Sequence, residues 1–230
     1  MSEELIAQQI KDLQFTVKKQ QHEIERLHAI NEVQNLISKY AYLHANGRHQ
    51  EYVKMYSNRP DTRVHWGSIG YFEGSDAAKR SWGYLEGDRQ PGTIMFHPLL
   101  CPMIIVAGDG KTAKGVWTDF GFECGRDRST GELQPNYCWG IYSVDFIKEN
   151  GIWKFWHCHV YPILMHPVNV PWTTKEGWDP DKKDMELPPD RQPDGADYNH
   201  TPYRTDAITT IQPDPDRIQP YETWGDTEPA

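Results

Sequence analysis

Glu149-Asn150-Gly151, then Trp153-Lys154-Phe155-Trp156-His157-Cys158-His159-Val160-Tyr161, is the stretch that decides how this chain is read. A tight Asn-Gly turn delivers the chain into a strand. Side chains alternate across a strand, so Trp153, Phe155, His157, His159 and Tyr161 are expected on one face. A face part aromatic and part imidazole predicts the wall of a pocket that holds an apolar molecule and moves protons.

Working outward, further strands are expected over residues 93–106, 112–124 and 136–148, with Gly108-Asp109-Gly110 as another hairpin turn. Upstream lie shorter strands at 62–68 and 70–74. A helix runs from Ser75 or Asp76 to about Leu85, with Ser75 suited to cap it. Residues 2–45 read as one long helix or two abutting ones, closed by Gly47, and a short second helix follows over 49–56. Helices first and long strands after predict an α+β fold, a curved antiparallel sheet wrapped around N-terminal helices. In the first helix Ile6, Ile10, Leu13, Val17, Ile24 and Leu27 keep a 3–4 spacing broken by Gln20. That stripe either packs on its own domain or joins subunits.

Beyond Tyr161 the composition changes. Residues 162–230 hold 12 of the 17 prolines and 14 acidic against 6 basic side chains, most of the net charge of −9. Such a segment cannot build a core of its own. It does keep Trp172, Trp178, Tyr198, Tyr203, Tyr221 and Trp224 as spaced anchors, so an extended arm lying over this core or a neighbour's is expected. The division is therefore 1–26 helical extension, 27–161 α+β domain, and 162–230 arm. Nothing basic enough for a phosphate backbone appears, which argues against nucleic acid. No apolar run is long enough to span a bilayer, and the acidic start is unlike a signal peptide. Single cysteines at 101, 124, 138 and 158 suit reduced thiols and a cytoplasmic setting.

Several pieces appear in an order that resembles the SnoaL-like branch of the nuclear-transport-factor-2-like superfamily, over about Leu27 to Tyr161. They are Ile37-Ser38-Lys39-Tyr40-Ala41, Tyr52-Val53-Lys54-Met55-Tyr56, and Gly70-Tyr71-Phe72-Glu73-Gly74. His97 and Ile104-Ile105-Val106-Ala107-Gly108-Asp109-Gly110-Lys111-Thr112-Ala113 follow. Tyr142-Ser143-Val144-Asp145-Phe146 and Asn150-Gly151-Ile152-Trp153-Lys154 close the series. The resemblance implies a cone-shaped α+β barrel whose pocket performs cofactor-free dehydration, isomerisation, elimination or aldol-type chemistry. It puts Tyr40 at the family's helix tyrosine and His97 at its strand base. The family's aspartate five residues after the tyrosine is here Ala45, so the usual His–Asp dyad is missing. It also implies oligomerisation, as a dimer or trimer.

The candidate catalytic residues are therefore His97, Tyr40, His159, His157 and His44, the last sharing a helix face with Tyr40. Neutral imidazole near pH 7 takes or gives a proton readily. Trp66, Trp117, Trp139, Phe155, Tyr142 and Phe96 are candidates to bind an aryl or polycyclic substrate, although aromatics on a sheet are mostly core. Asp119, Glu123 and Glu73 are possible carboxylate partners, the first by strand parity with Trp117 and the others more as surface groups. Lys79 and Arg80 read as a solvated face.

The leading expectation is a cofactor-independent lyase acting on a hydroxylated aromatic or polycyclic small molecule. It would release water or, as in the lignin-derived diarylpropane lyases that the chain more weakly resembles, a small carbonyl. No metal or cofactor is expected. The alternatives are a non-catalytic binding or assembly domain, and a metal enzyme using His97, His157 and His159 together.

Overall fold

The computed structural model describes residues 3–83, 89–127, 130–174, 189–196, 203, 204, 206, 208, 209, 211 and 218–229. Helix α1 (Glu3–Ala45) is continuous, and α2 (His49–Val53) follows. Strands β1 (Arg63–Trp66) and β2 (Gly70–Glu73) flank a 3-10 turn at Gly67–Ile69, and α3 spans Ala77–Trp82. Then come β3 (Ile94–Phe96), β4 (Leu99–Val106), β5 (Thr112–Arg126), β6 (Leu133–Glu149) and β7 (Ile152–Pro167). The sheet runs β2-β1-β7-β6-β5-β3, with β4 also on β5. The α+β expectation holds, as a curved, unclosed sheet whose concave side is filled by the helices. One pairing differs: β1 runs parallel to β7, the other pairs being antiparallel.

α1 ends for a local reason. Gly47 adopts φ +68°, its N–H reaches the His44 carbonyl, and the Arg48 N–H reaches the Leu43 carbonyl. This double bond pattern satisfies the last carbonyls of the helix and favours glycine at the left-handed position. It turns the chain back so that α2 lies beside the end of α1. The expected single strand over 93–106 is interrupted at His97-Pro98, because proline has no N–H to give the ladder. Register is kept across the break: Phe96 faces Phe122 and Leu99 faces Asp119. A Cβ on Gly121 would sit 1.8 Å from the Phe96 carbonyl oxygen, so glycine permits this close approach.

The decisive departure lies in β7. Asp145 pairs with His157, but Phe146 pairs with Phe155, leaving Trp156 as an extra residue. A bulge of one residue reverses which face later side chains occupy. Trp153 and Phe155 point to the helices, as expected. Trp156 and His157 stack on each other on the opposite face, and His159 and Tyr161 follow them there. Cys158 and Val160 take the inner positions in the main core. A five-residue face predicted by simple alternation is therefore split.

The core between helices and sheet is dense with rings, among them Tyr40, Tyr52, Phe72, Trp82, Trp117 and Phe155. A smaller cluster, Ile141, Tyr161 and Ile163, lies on the outer face. Asp76 takes the N-cap position of α3 with its carboxylate paired to Arg80 instead of capping, so Ser75 is not the cap. Leu85 lies outside the described residues. Arg80 is not a solvated side chain: it is 20% exposed and bonds Asp76, Asp194 and the Glu73 carbonyl.

Among the described residues of 162–230, β7 continues to Pro167, and Gly195 bridges Tyr71 at the β2 edge. Tyr221 and Trp224 lie against the outer face near β5 and β7. Trp178 and Tyr198 lie outside the described residues. Among the described residues, no helix is long and apolar enough to cross a membrane.

Candidate active site

A cavity of about 480 Å³ opens between the end of α1, the 3-10 turn after β1, and strands β3, β5, β6 and β7. That is the size range of sites for small organic ligands. Its walls include Trp66 and Trp82, whose rings meet at 4.4 Å, with Ile69, Met95 and Val160. Its polar groups are His44, His97, Asp119, Glu123 and Tyr142, and Arg89 and Arg126 stand at the rim.

His97 is clasped on both ring nitrogens. Nδ1 lies 2.7 Å from Asp119 and Nε2 lies 2.8 Å from Glu123. Asp119 is placed by β5, where Leu99 pairs opposite it immediately after the His97-Pro98 interruption. Burial opposes charge on His97, but bonds from the two carboxylates outweigh it and push its pKa up to about 10. The ring is thus an imidazolium at neutral pH. Burial pushes the Asp119 carboxyl upward, while its bond to His97 pulls it back. Among the described residues its Oδ1 has no hydrogen-bond partner, in keeping with the burial effect.

His44 stands 5.2 Å from His97, ring centre to ring centre. Its Nδ1 is 3.0 Å from His49 Nε2. Burial first, then the charge on His97 and the neighbouring His49, hold its pKa well below the ordinary histidine value. Tyr40 stacks on His44 and shares a 2.9 Å hydroxyl bond with Tyr142. Burial keeps both phenols well above their usual range, so they remain neutral donors. The site therefore holds a charged and a neutral imidazole side by side, with a neutral phenol pair nearby. Opposed proton affinities at close range are the arrangement that divides acid from base roles.

Of the expected residues, His97, His44, Tyr142 and Trp66 line the cavity, and Tyr40 lies directly behind two of them. His157 and His159 do not reach it. His157 is on the outer face, bonded to Asp145 (2.9 Å) and to the Asp61 carbonyl (3.0 Å). His159 stacks between His65 and Tyr161. The three-histidine metal arrangement is thereby undone, because His97 is across the sheet from the other two. Among the described residues no three His, Cys, Asp or Glu side chains are placed so that they could hold a metal ion together.

Trp117 and Phe155 are core, the first packed on Phe146 and bonded to Gln34, the second stacked on Tyr56. Phe96 faces outward and is 45% exposed. Trp139 borders the cavity, but it also packs with the outer cluster and its indole bonds Thr118. Glu73 pairs with Arg63 and, among the described residues, bonds no histidine. Glu123, read as a surface group, is a direct partner of His97.

His49 and Trp82 are among the residues at the site that were not singled out from sequence. His49 becomes visible only through the Gly47 reversal, which sets it beside His44. Trp82 sits on the small-residue face Ala77, Ala78 and Ser81 of α3, a 3–4 pattern that marks a buried stripe.

The SnoaL-like domain profile matches residues 25–159. The chain belongs to the SnoaL-like domain family. Among solved structures it is similar to LinA, with 14% identity, a TM-score of 0.53, and coverage of 64% of this chain and 95% of LinA. It is also similar to a candidate scytalone dehydratase from Novosphingobium aromaticivorans DSM 12444: 19% identity, TM-score 0.52, 65% and 93% coverage. A third is the hexachlorocyclohexane dehydrochlorinase LinA-type3 from Novosphingobium barchaimii LL02, at 15% identity, TM-score 0.52, and 65% and 99% coverage. At such identities the likeness is one of fold. No curated protein sequence matches the chain.

The SnoaL-like relationship sharpens the meaning of Ala45. Where the sequence resemblance calls for an aspartate on α1, Ala45 lines the cavity, and a carboxylate reaches the histidine from β5 instead. Asp119 on β5 is thus the carboxylate beside His97.

Proposed function

We propose that the protein is a cofactor-independent lyase acting by acid–base catalysis on a hydroxylated aromatic or polycyclic small molecule. The observation that carries this is the pair His44 and His97, 5.2 Å apart and driven to opposite protonation states. In the elimination, His44 Nε2 takes a proton from carbon, while its Nδ1–H donates a hydrogen bond to His49 Nε2. The electron pair left behind forms the C=C bond as the C–O bond breaks. The leaving oxygen takes the His97 proton and departs as water. A substrate hydroxyl displaces Glu123 from His97 Nε2, since Glu123 is the more exposed of the two carboxylates, and Asp119 keeps the ring oriented.

The same groups serve a retro-aldol cleavage, in which His44 removes a hydroxyl proton, a C–C bond breaks to release a small carbonyl, and His97 protonates the carbon fragment. Water loss is favoured, because a resident imidazolium suits a leaving oxygen. The fold relatives, two of them hexachlorocyclohexane dehydrochlorinases and one a candidate scytalone dehydratase, agree with an elimination site. The aromatic walls supply stacking for the ring system. Arg89 makes no hydrogen bond or ion pair among the described residues, so a substrate with an acidic group fits the rim.

The test is to incubate purified protein with hydroxylated aromatics and polycyclic alcohols, with and without an acidic substituent, and follow products by mass. Loss of water or of an aldehyde supports the reading. Ligand binding without turnover, equal in the wild type and His97→Gln, replaces it with the binding-domain alternative.

A further inference from the structure

α1 has two faces that serve different masters. Going toward its C-terminus, His22 bonds the Gly108 carbonyl, Arg26 bonds the Val106 carbonyl, and Ala29, Val33, Ile37 and Tyr40 are buried against the sheet. That sequence of residues advances by three or four each time, so it is one continuous inward stripe. Ile6, Ile10, Leu13, Val17, Ile24 and Leu27 make a second stripe. Each is displaced by about two residues from the first, which is roughly half a turn at about 3.6 residues per turn. The apolar stripe of the N-terminal half thus faces away from its own domain, and its side chains are 43–65% exposed.

The spacing of the second stripe alternates strictly between four and three, which is a heptad repeat. Ile10, Val17 and Ile24 occupy one seam position (a); Ile6, Leu13, Gln20 and Leu27 occupy the other (d). β-Branched residues at all three a positions, with leucine at two of the four d positions, favour two parallel strands over three or four. Flanking positions Ala7, Gln9, Gln14, Thr16 and Gln21 are uncharged, and the charged one, Glu23, faces His28 of the other helix in a parallel register, so identical helices close without acids opposed. The next seam positions are Asn31, Gln34 and Ser38, and Gln34 is already committed to Trp117. The apolar seam therefore stops where the helix docks on its domain. Residues 3–21 are exposed on every side, so this half of α1 has no tertiary packing of its own to stabilise it.

We propose that α1 is a dimerisation helix: a second copy of this chain zips against Ile6–Leu27 as a parallel, in-register two-stranded coiled coil. Gln20 is the single polar interruption, and in this register the two Gln20 amides face each other, which disfavours slipped pairings.

Full-length protein with Val17→Cys in a Cys101→Ser background is oxidised beside the matching Lys18→Cys chain. Val17 lies on the seam and Lys18 off it. Expected is rapid covalent dimer from the first and little from the second. In parallel, Leu13→Glu/Val17→Glu, checked for an intact cone by tryptophan fluorescence, lowers the mass in light scattering by about twofold. A Val17→Cys chain that cross-links no faster than Lys18→Cys overturns the proposal. So does an assembly whose mass the double substitution leaves unchanged.

Discussion

The molecule carries two sets of buried histidines, one on each side of the same sheet. Inside are His44, His49 and His97; outside are His65, His157 and His159; a seventh, His166, is buried near the end of β7. Burial is similar in the two sets, so burial alone does not mark a functional imidazole. In the inner set His44 and His97 border a cavity and are driven apart in proton affinity. In the outer set His157 has both nitrogens occupied by Asp145 and a backbone carbonyl, beneath Trp156 and Trp224. Asp145 in turn holds Lys114 at 3.0 Å, and Lys114 lies under the Trp224 ring. That cluster fastens residues 218–229 to the sheet. Access to a void, more than residue type, separates a site for chemistry from a rivet.

The sharpest way to break this comparison is to exchange the effects. His97→Gln should lower turnover by about 10²–10⁴-fold while leaving far-UV circular dichroism unchanged. His157→Gln should leave turnover per folded molecule unaltered. The opposite pattern would mean that the wrong face of the sheet has been assigned to catalysis.

Stability should respond the other way round. Asp145→Ala leaves Lys114 and His157 buried without their carboxylate, and removal of one partner from such a pair costs about 3–5 kcal/mol. Urea unfolding followed by tryptophan fluorescence measures it. A loss well under 1 kcal/mol would show that the outer network does not fasten the arm.

The charge on His97 gives a pH signature. Its folded pKa, about 10, lies above the ordinary value of 6.5, so its contribution to stability is complete below pH 6.5. That contribution fades as pH rises toward 10. Wild-type stability should therefore fall across that window more steeply than that of His97→Gln. Imidazole NMR shifts should show one ring still protonated at pH 8, and His44 still neutral at pH 6 because its pKa is depressed.

Smaller effects should refine the inner site. Gly47→Ala forces a side chain onto φ +68° and against Arg89, at a cost of about 1–2 kcal/mol in thermal unfolding. Arg89→Ala should raise KM for acidic substrates more than for neutral ones, with kcat little changed. An equal effect on both would remove the acidic-group preference.

Much of the fold was legible along the chain because it follows from local chemistry. Gly47 ends α1, Asn150-Gly151 turns β6 into β7, and the helices and strands fall in the order the patterns put them. The site was legible only in part. His97, His44, Tyr40 and Tyr142 came through the resemblance and helix spacing, whereas His157 and His159 came through strand parity and landed across the sheet. One extra residue at Trp156 is enough for that, and an inserted ladder position leaves no mark in an alternating sequence. Glu123 looked like a surface group because nothing local shows that β3 brings His97 over it.

By itself the sequence determined the order of elements, the turns between them, the ring-rich interior and the heptad stripe, all of which depend on neighbours along the chain. Tertiary structure alone decided which histidines share a void, which carboxylates hold them, and so which ring carries the proton. Those outcomes depend on strand pairing and desolvation, and both are set through space by residues tens of positions apart.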